Sequence, residues 1–196
     1  MFINKLFLLI VSLLFISSGI QAADKYVADK AHTNIGFTVK HMVIATVPGK
    51  FQDYDIEFVF DEKDLSASSV KASIRKASIF TDDQKRDDHL RSTDFFDVAN
   101  YPEITFVSNT INKKGDGYTA RGILTIRGVS KEIELPFKVF GPVNDPWGNT
   151  KLGIEASIQI NRQDFNVSWN KTLDTGGLVV SNDVNIKLDV ELNKVK

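Results

Sequence analysis

The densest group of functional side chains in the sequence is a short charged segment, Arg86–Ser92, in which Leu90 is the only apolar residue. One interpretation is a solvated helix surface, on which neighbouring charges form ion pairs worth about 0.2–0.5 kcal/mol each. The other is a polar binding site, in which basic side chains meet the anionic head group of a ligand and two aspartates orient them. The side chains concerned are Arg86, Asp87, Asp88, His89 and Arg91.

Histidines are few, and their spacing matches no metal-binding motif. The chain has three of them, His32, His41 and His89, and we expect no metal site. His41 continues the parity of an alternating apolar run at positions 35, 37 and 39. It is therefore expected to be hydrogen-bonded in the interior or at a rim, and a polar contact with a ligand is the alternative.

Motifs of common enzymes and cofactor-binding proteins are missing. The chain has no Gly-x-Ser-x-Gly nucleophile elbow and no phosphate-binding loop that ends in Gly-Lys-Ser or Gly-Lys-Thr. The string Gly115–Ala120 resembles part of a dinucleotide-binding motif, but it leads into an alternating run rather than a helix, so its glycines indicate a hairpin turn. The absence of cysteine excludes thiol catalysis and Cys-ligated metals. We expect no cofactor.

The N-terminal segment predicts export to the periplasm. Lys5 precedes the apolar run Leu6–Ile16, which is too short to span a bilayer. A small-residue exit follows, so residues 1–22 are interpreted as a signal peptide that is cleaved after about Ala22.

The mature chain, residues 23–196, is expected to form one domain without a transmembrane segment. It would carry 23 basic and 25 acidic side chains. Such a balance gives no reason to expect nucleic acid or an anionic membrane surface as a partner.

Period-two alternation dominates the mature sequence and is the signal of strands with one buried face. Turn sequences at 113–117 and 127–130 join consecutive runs, which indicates antiparallel neighbours. Eight strands can close into a barrel whose interior is filled or holds one small ligand, and a two-layer sandwich is the alternative. The eight alternating runs lie at residues 35–41, 54–60, 70–74, 104–106, 118–126, 133–139, 152–160 and 184–192.

One segment interrupts the alternation between the third and fourth strands. Thr81–Gln84 has the pattern of a capping box with Thr81 as N-cap, which predicts a short helix through about Leu90. A further turn over residues 92–96 would end before Tyr101-Pro102. A long connection of this kind is a suitable place for a lid or a mouth in a β protein.

This helical segment also resembles the YceI-like family of periplasmic polyisoprenoid-binding proteins. Arg86–Ser92 is followed, in that family's order, by Asp94–Asp97, Tyr101-Pro102, Thr105-Phe106 and Ser108. One departure is Asn166, which stands where relatives tend to place a glycine. Further matches extend the resemblance over the whole mature chain: His32-Thr33, Phe37, Val39, His41, Val47, Gly49, Phe51, Gly122, 124–129, Arg162, Asp164-Phe165 and 184–192.

The resemblance implies an all-β fold, an eight-stranded antiparallel lipocalin-like barrel with a short helical insertion between strands 3 and 4. Its tunnel would hold an isoprenoid or another long-chain amphiphilic lipid, with the polar end near the mouth. The protein would be a carrier and not an enzyme, linked to quinone or lipid-carrier metabolism or to envelope stress. The candidate ligand contacts are Phe37, Val39, His41, Phe51, Phe58, Arg86, Asp87, His89 and Phe106.

Two other hypotheses remain open on the sequence alone. One is an enzyme that acts on a lipid head group, with His89 as general base and Asp87 or Asp88 as its orienting partner. The other is an accessory protein that delivers quinone to a membrane redox partner. A homodimer is also compatible with the sequence, which does not fix the oligomeric state.

Overall fold

The computed structural model describes residues 23–174 and 176–195. The expected signal peptide lies outside these residues and stays a prediction. The chain forms eleven strands and one α-helix in the described residues: β1 (Asp24–Ala28), β2 (Asn34–His41), β3 (Ala45–Phe51), β4 (Tyr54–Phe60), β5 (Ser69–Arg75), β6 (Ile79–Phe80), α1 (Gln84–Arg91), β7 (Glu103–Lys114), β8 (Gly117–Ile126), β9 (Val129–Asn144), β10 (Thr150–Asn161) and β11 (Val180–Lys194).

Eight antiparallel strands close into a barrel. Their order is β1-β4-β5-β7-β8-β9-β10-β11, and the pairing of β1 with β11 closes the ring. Closure leaves no continuous free edge along the barrel, which is how β proteins avoid edge-to-edge aggregation. The expected eight-stranded antiparallel barrel is confirmed, and the two-layer sandwich was the wrong alternative.

Three strands were not predicted: β1, which belongs to the closed ring, and β3 and β6. The predicted strand at residues 35–41 is β2, which lies outside the ring and extends the barrel at one end together with β3 and β6. β1 and β2 pair with successive parts of the same edge of β11, Ala28 with Leu192 and Asn34 with Asp189. β3 continues the sheet from β2, and the two-residue strand β6 pairs with β3. The hairpin of β2 and β3 therefore carries the wall of the barrel further on one side.

Alternation determines which side chains face inward along the long strands. On β10, the even-numbered positions from Leu152 to Ile160 face the interior, and on β11 those from Val184 to Leu192 do the same. The register places these positions directly opposite one another, Ala156 beside Leu188. A one-residue slip would turn every apolar side chain outward, so the hydrophobic pattern fixes the register.

The predicted helix forms between β6 and β7, but its N-cap was assigned wrongly. Asp83 caps the helix, since its Oδ1 accepts from the Arg86 backbone N–H at 3.0 Å. Thr81 cannot cap because its hydroxyl donates to the buried carboxylate of Asp87 at 2.6 Å. Asp82 lies between them at φ +61° and turns the chain into the helix. The helix ends at Arg91, one residue beyond the expected end.

Within the described residues, the helical segments are all too short or too polar to cross a membrane.

Candidate ligand-binding site

The barrel encloses a cavity of about 470 Å³, within the size range of small-molecule sites. Nearly all of its lining side chains are apolar, and they come from β2, β3 and every strand of the ring except β1. Among the described residues that line it, His41 is the only one that is exposed. The cavity thus opens at the end of the barrel where β2 turns into β3, which we call the mouth.

Polar lining groups cluster at the mouth. They are supplied by β2, by the segment that includes α1, and by the turn after β10, and the rest of the wall is aliphatic or aromatic. The polar or ionisable residues that line the cavity are His41, Thr81, Arg86, His89 and Arg162, and Trp169 lies among them. This arrangement suits an elongated ligand that has one polar end.

Arg86 is held at the mouth by the oxygens of one residue. Its Nε donates to Thr81 Oγ1 at 2.8 Å, and its Nη2 donates to the Thr81 carbonyl oxygen. Asp87, which is buried, accepts from the Thr81 backbone N–H at 2.9 Å and from the Thr81 hydroxyl. The carboxylate of Asp87 therefore positions Thr81, and Thr81 in turn positions the guanidinium.

His89 forms a second polar group at the mouth, flanked by aromatic rings. Its Nε2 lies 2.9 Å from Asp94 Oδ2. The imidazole packs edge-on against Phe95 and Trp169, with ring centroids 5.0 Å apart in both cases. Trp169 and Phe95 also contact each other, at 5.1 Å.

The expected partner of His89 was wrong. Asp87 bonds to Thr81, and Asp88 accepts from Gln84 Nε2 and Arg91 Nη1. Residues one or two positions from His89 on the helix point in other directions, so neither aspartate reaches its ring. Asp94, in the turn after the helix, takes that place.

Arg162 is a buried cation in the cavity wall, at the end of β10. Its side chain donates to the Ser181 carbonyl at 2.9 Å, to the Val167 carbonyl at 2.6 Å and to Asn182 Oδ1 at 3.4 Å. Burial lowers the pKa of its guanidinium from the ordinary value. Asn166 lies inside the turn that Arg162 holds and adopts φ +58°, a conformation that asparagine tolerates better than most residues.

An aromatic cluster fills the end of the barrel opposite the mouth. The ring centroids of Phe58 and Phe60 lie 5.1 Å apart, those of Phe60 and Tyr118 5.4 Å, and those of Tyr118 and Phe137 5.5 Å. The Tyr118 hydroxyl lies 3.3 Å from Glu62 Oε1 and from Lys113 Nζ. These rings close the base of the cavity.

Eight of the nine candidate residues from the sequence line this cavity, and Asp87 does not. Phe37, Val39, His41, Arg86 and His89 lie towards the mouth. Their role in binding stays a prediction.

Among the polar and aromatic side chains at the mouth, sequence reasoning did not select Thr81, Arg162 and Trp169 as ligand contacts. The parity of β10 could have found Arg162, since it continues the inward even-numbered positions 152–160. Nothing in the pattern around Trp169 indicates that its ring lies at the mouth.

One surface cluster has the composition of a metal site, but a lysine already supplies the positive charge. Asp29, His32 and Glu191 bring their ligand atoms within 4.8 Å of one another. Lys151 Nζ lies between the carboxylates, 3.0 Å from Asp29 Oδ2 and 2.6 Å from Glu191 Oε1. The hydrogen bond from Lys151 holds the pKa of Asp29 well below its usual range. The cluster is thus explained as an ion-pair network.

Comparison with known proteins identifies the family. A family model described as a YceI-like domain matches residues 26–192. The chain belongs to the YceI-like family. A UPF0312 protein of Yersinia enterocolitica is 39% identical over 193 residues, which cover 97% of each chain.

Several solved structures share the fold. The YceI protein of Campylobacter jejuni is 35% identical, with a TM-score of 0.69 over 86% of this chain and 96% of that one. BcnA of Burkholderia cenocepacia gives a TM-score of 0.74 at 26% identity, over 84% and 98%. A polyisoprenoid-binding domain from Saccharophagus degradans gives a TM-score of 0.62 over 87% and 98%, but at 13% identity it shows the fold alone.

Proposed function

We propose that this YceI-like protein is a periplasmic carrier that holds an isoprenoid or similar amphiphilic lipid, with the tail in the barrel and the polar head at the mouth. The observation that carries the proposal is the cavity of about 470 Å³, apolar along its wall and polar at its open end. A reactive site would need converging polar groups beside the substrate atoms, and the described residues of the inner wall place none below the mouth.

The tail would determine affinity and the head would determine orientation. At about 0.3 kcal/mol per heavy atom for large ligands, every 20 carbons of tail contribute on the order of 6 kcal/mol. One hydrogen bond to a charged head contributes roughly 1.5–3 kcal/mol. A tail of about 20 carbons inside the barrel therefore contributes more to affinity than one hydrogen bond to the head group at the mouth.

Family membership supports the choice of an isoprenoid. The neighbour from Saccharophagus degradans is named for polyisoprenoid binding, and its barrel has the same fold as this one. Export is supported by the sequence of residues 1–22. Determining the N-terminus of protein recovered from the periplasmic fraction tests the location, and an uncleaved protein in the cytoplasmic fraction would contradict it.

The direct test of the cargo is organic extraction of protein purified gently from its own envelope, followed by mass spectrometry. We expect near-stoichiometric amounts of a long-chain lipid, with quinone absorbance if the cargo is a quinone. Protein that is consistently free of lipid would count against the carrier function.

A comparison of two variants tests whether contacts with the lipid tail dominate lipid retention. Phe37 lines the cavity and its ring lies 5.8 Å from that of Phe51. We expect Phe37→Ala to reduce retention of a long-chain lipid more than Arg86→Gln does, because the ring contacts the tail and the guanidinium only the head. Retention in Phe37→Ala equal to that of the wild type would argue against a tail inside the barrel.

The His89–Asp94 pair favours one second candidate, an enzyme that acts on a lipid head group. A histidine held by a carboxylate at 2.9 Å is the usual arrangement of a general base. Turnover of a head group that is lost in His89→Ala while lipid binding persists would favour the enzyme. Unchanged lipid recovered after long incubation would favour the carrier.

A further inference from the structure

The ionisable side chains that line the cavity all belong to basic residues. The ionisable side chains of the lining are His41, Arg86, His89 and Arg162. Within residues 23–174 and 176–195, no aspartate or glutamate contributes to it. A lining of this kind attracts a ligand that carries negative charge.

The basic groups differ in how far their charge is balanced. His89 is paired with Asp94, and Arg86 is linked to Asp87 through the Thr81 hydroxyl. Arg162 is only 6% exposed, and all three of its acceptors are neutral oxygens. Among the described residues, no carboxylate lies within ion-pair distance of its guanidinium.

A buried cation without a counter-charge destabilises a protein unless something compensates it. Neutral acceptors satisfy three of the five N–H donors of Arg162, and two N–H groups are left over. The planar guanidinium matches the two oxygens of a carboxylate or phosphate. The missing counter-charge would therefore come from a ligand.

We infer that the cavity selects amphiphiles with an anionic head group, a phosphate or a carboxylate, and that Arg162 is its main charge partner while Arg86 assists at the mouth. The inference rests on the proposed lipid-binding function and narrows it to a class of ligand. The bonds that Arg162 makes to Ser181 and Val167 also hold the turn after β10 against the start of β11, so its test must separate charge recognition from support of this turn.

Tryptophan fluorescence reports on the mouth directly. The chain has two tryptophans: Trp169 lines the cavity, and Trp147 lies in the β9–β10 turn at the opposite end with 82% of its surface exposed. In a Trp147→Phe background, the emission comes from Trp169 alone. Delipidated protein is titrated with hexadecanol, palmitate and hexadecyl phosphate, which share one tail, and with inorganic phosphate.

We expect both anionic amphiphiles to bind about 10- to 100-fold more tightly than the alcohol, the ratio that one charge-assisted hydrogen bond provides. Inorganic phosphate should bind far more weakly than the phosphate that carries a tail. The comparison of palmitate with hexadecyl phosphate identifies the preferred head. Alcohol binding as tight as that of both anions would overturn the inference and leave the carrier function intact, whereas binding of none of the three would count against the carrier function itself.

Variants assign the preference to a residue. In Arg162→Gln, if circular dichroism shows it folded, the ratio of anion to alcohol affinity should fall to near 1, and Arg162→Lys should keep part of the preference because the charge remains. Arg121→Gln is the matched control, since Arg121 lies on the outer surface and pairs with Glu132. An unchanged ratio in folded Arg162→Gln or Arg162→Lys together with a loss in Arg86→Gln would overturn the assignment to Arg162. If Arg162→Gln does not fold, the wild-type ratio and Arg162→Lys still decide.

Discussion

The mouth of the barrel has strained backbone conformations, whereas the closed end places glycine where a left-handed conformation is needed. Within the described residues, six non-glycine residues have φ between +47° and +67°, and all six lie at the mouth end. At the closed end, the turns that need a left-handed residue contain glycine, Gly115 and Gly148. The strained residues at the mouth are Met42, Val43, Asp82, Asp97, Arg127 and Asn166.

The side chains of the two ends differ in the same sense. The closed end is a set of packed rings around Phe58 and Phe137, whereas the mouth contains buried charges such as Arg162 and Lys76. Strained backbone and buried charge both reduce stability and cluster where a protein binds its ligand. We infer that packing at the closed end stabilises the barrel. This stability compensates for the strain and the buried charges that hold the polar groups of the mouth in place.

Truncation of an aromatic residue at the closed end should have the largest effect. Phe137 is buried and contacts Phe58 and Tyr118, with centroids 6.1 and 5.5 Å away. We expect Phe137→Ala to lower the free energy of unfolding by about 3–5 kcal/mol, because a ring-sized void is left in packed surroundings. Urea denaturation followed by circular dichroism measures it.

Phe37→Ala is the matched control near the mouth. Both rings border the cavity, but that of Phe37 is only half-buried whereas that of Phe137 is buried. Less packing is therefore lost in Phe37→Ala, and we expect a clearly smaller loss of stability. An equal loss in the two variants would contradict the division of the barrel into a stabilising base and a ligand-binding mouth.

The sequence predicts the closed end better than the mouth. The strands around Phe58 and Phe137 follow from alternation, because each side chain there needs only the correct parity and burial. At the mouth, the role of each polar side chain depends on contacts that the sequence pattern does not reveal. Arg162 donates a hydrogen bond to the Ser181 carbonyl. The Thr81 hydroxyl donates to Asp87 and therefore does not cap the helix as expected.

The missed strands have a similar cause. β6 has two residues, too few for a period to be recognised, and in β1 the consecutive residues Tyr26, Val27 and Ala28 conceal the alternation. β3 contains Pro48 and Gly49, both of which weaken a strand signal. Each is a strand because of the neighbour with which it pairs.

The next largest expected effect is a pH dependence of the free energy of unfolding that arises from a buried lysine at the mouth. Lys76 lies under the mouth and is fully buried, with Nζ 2.9 Å from the Phe96 carbonyl oxygen. Burial lowers its pKa to about 8, against the opposing influence of Asp97 and with a smaller contribution from Arg127. Above that value the folded protein loses the proton, while the unfolded chain keeps it up to about pH 10.4.

The unfolded state therefore binds more protons between these values, and the free energy of unfolding rises with pH. We expect an increase of about 1–2 kcal/mol from pH 7.5 to 9.5, measured by urea denaturation at both values. Lys76→Met should abolish the increase, and Phe137→Ala should keep it despite its low stability. A flat profile in the wild type would show that the charge of Lys76 is not confined as the geometry indicates.

The smallest expected effect is a gain of stability at the mouth, in the β2–β3 turn. Ile44 N–H donates to the His41 carbonyl at 3.2 Å across Met42 and Val43, which have φ +50° and +67°. Turns of this shape favour Asn-Gly, and the β8–β9 turn accordingly has Gly128 at the second position, at φ +75°.

Val43→Gly should raise the free energy of unfolding by about 0.5–1 kcal/mol, since the relief of a left-handed β-branched residue exceeds the entropy that glycine adds to the unfolded chain. The side chain of Val43 is 67% exposed and loses little burial. Ile44→Gly is the control, because Ile44 is 85% exposed and has no positive φ to relieve, so it should destabilise slightly. If Val43→Gly also destabilises, the valine makes contacts at the rim that outweigh its strain, and the mouth is better packed than its backbone indicates.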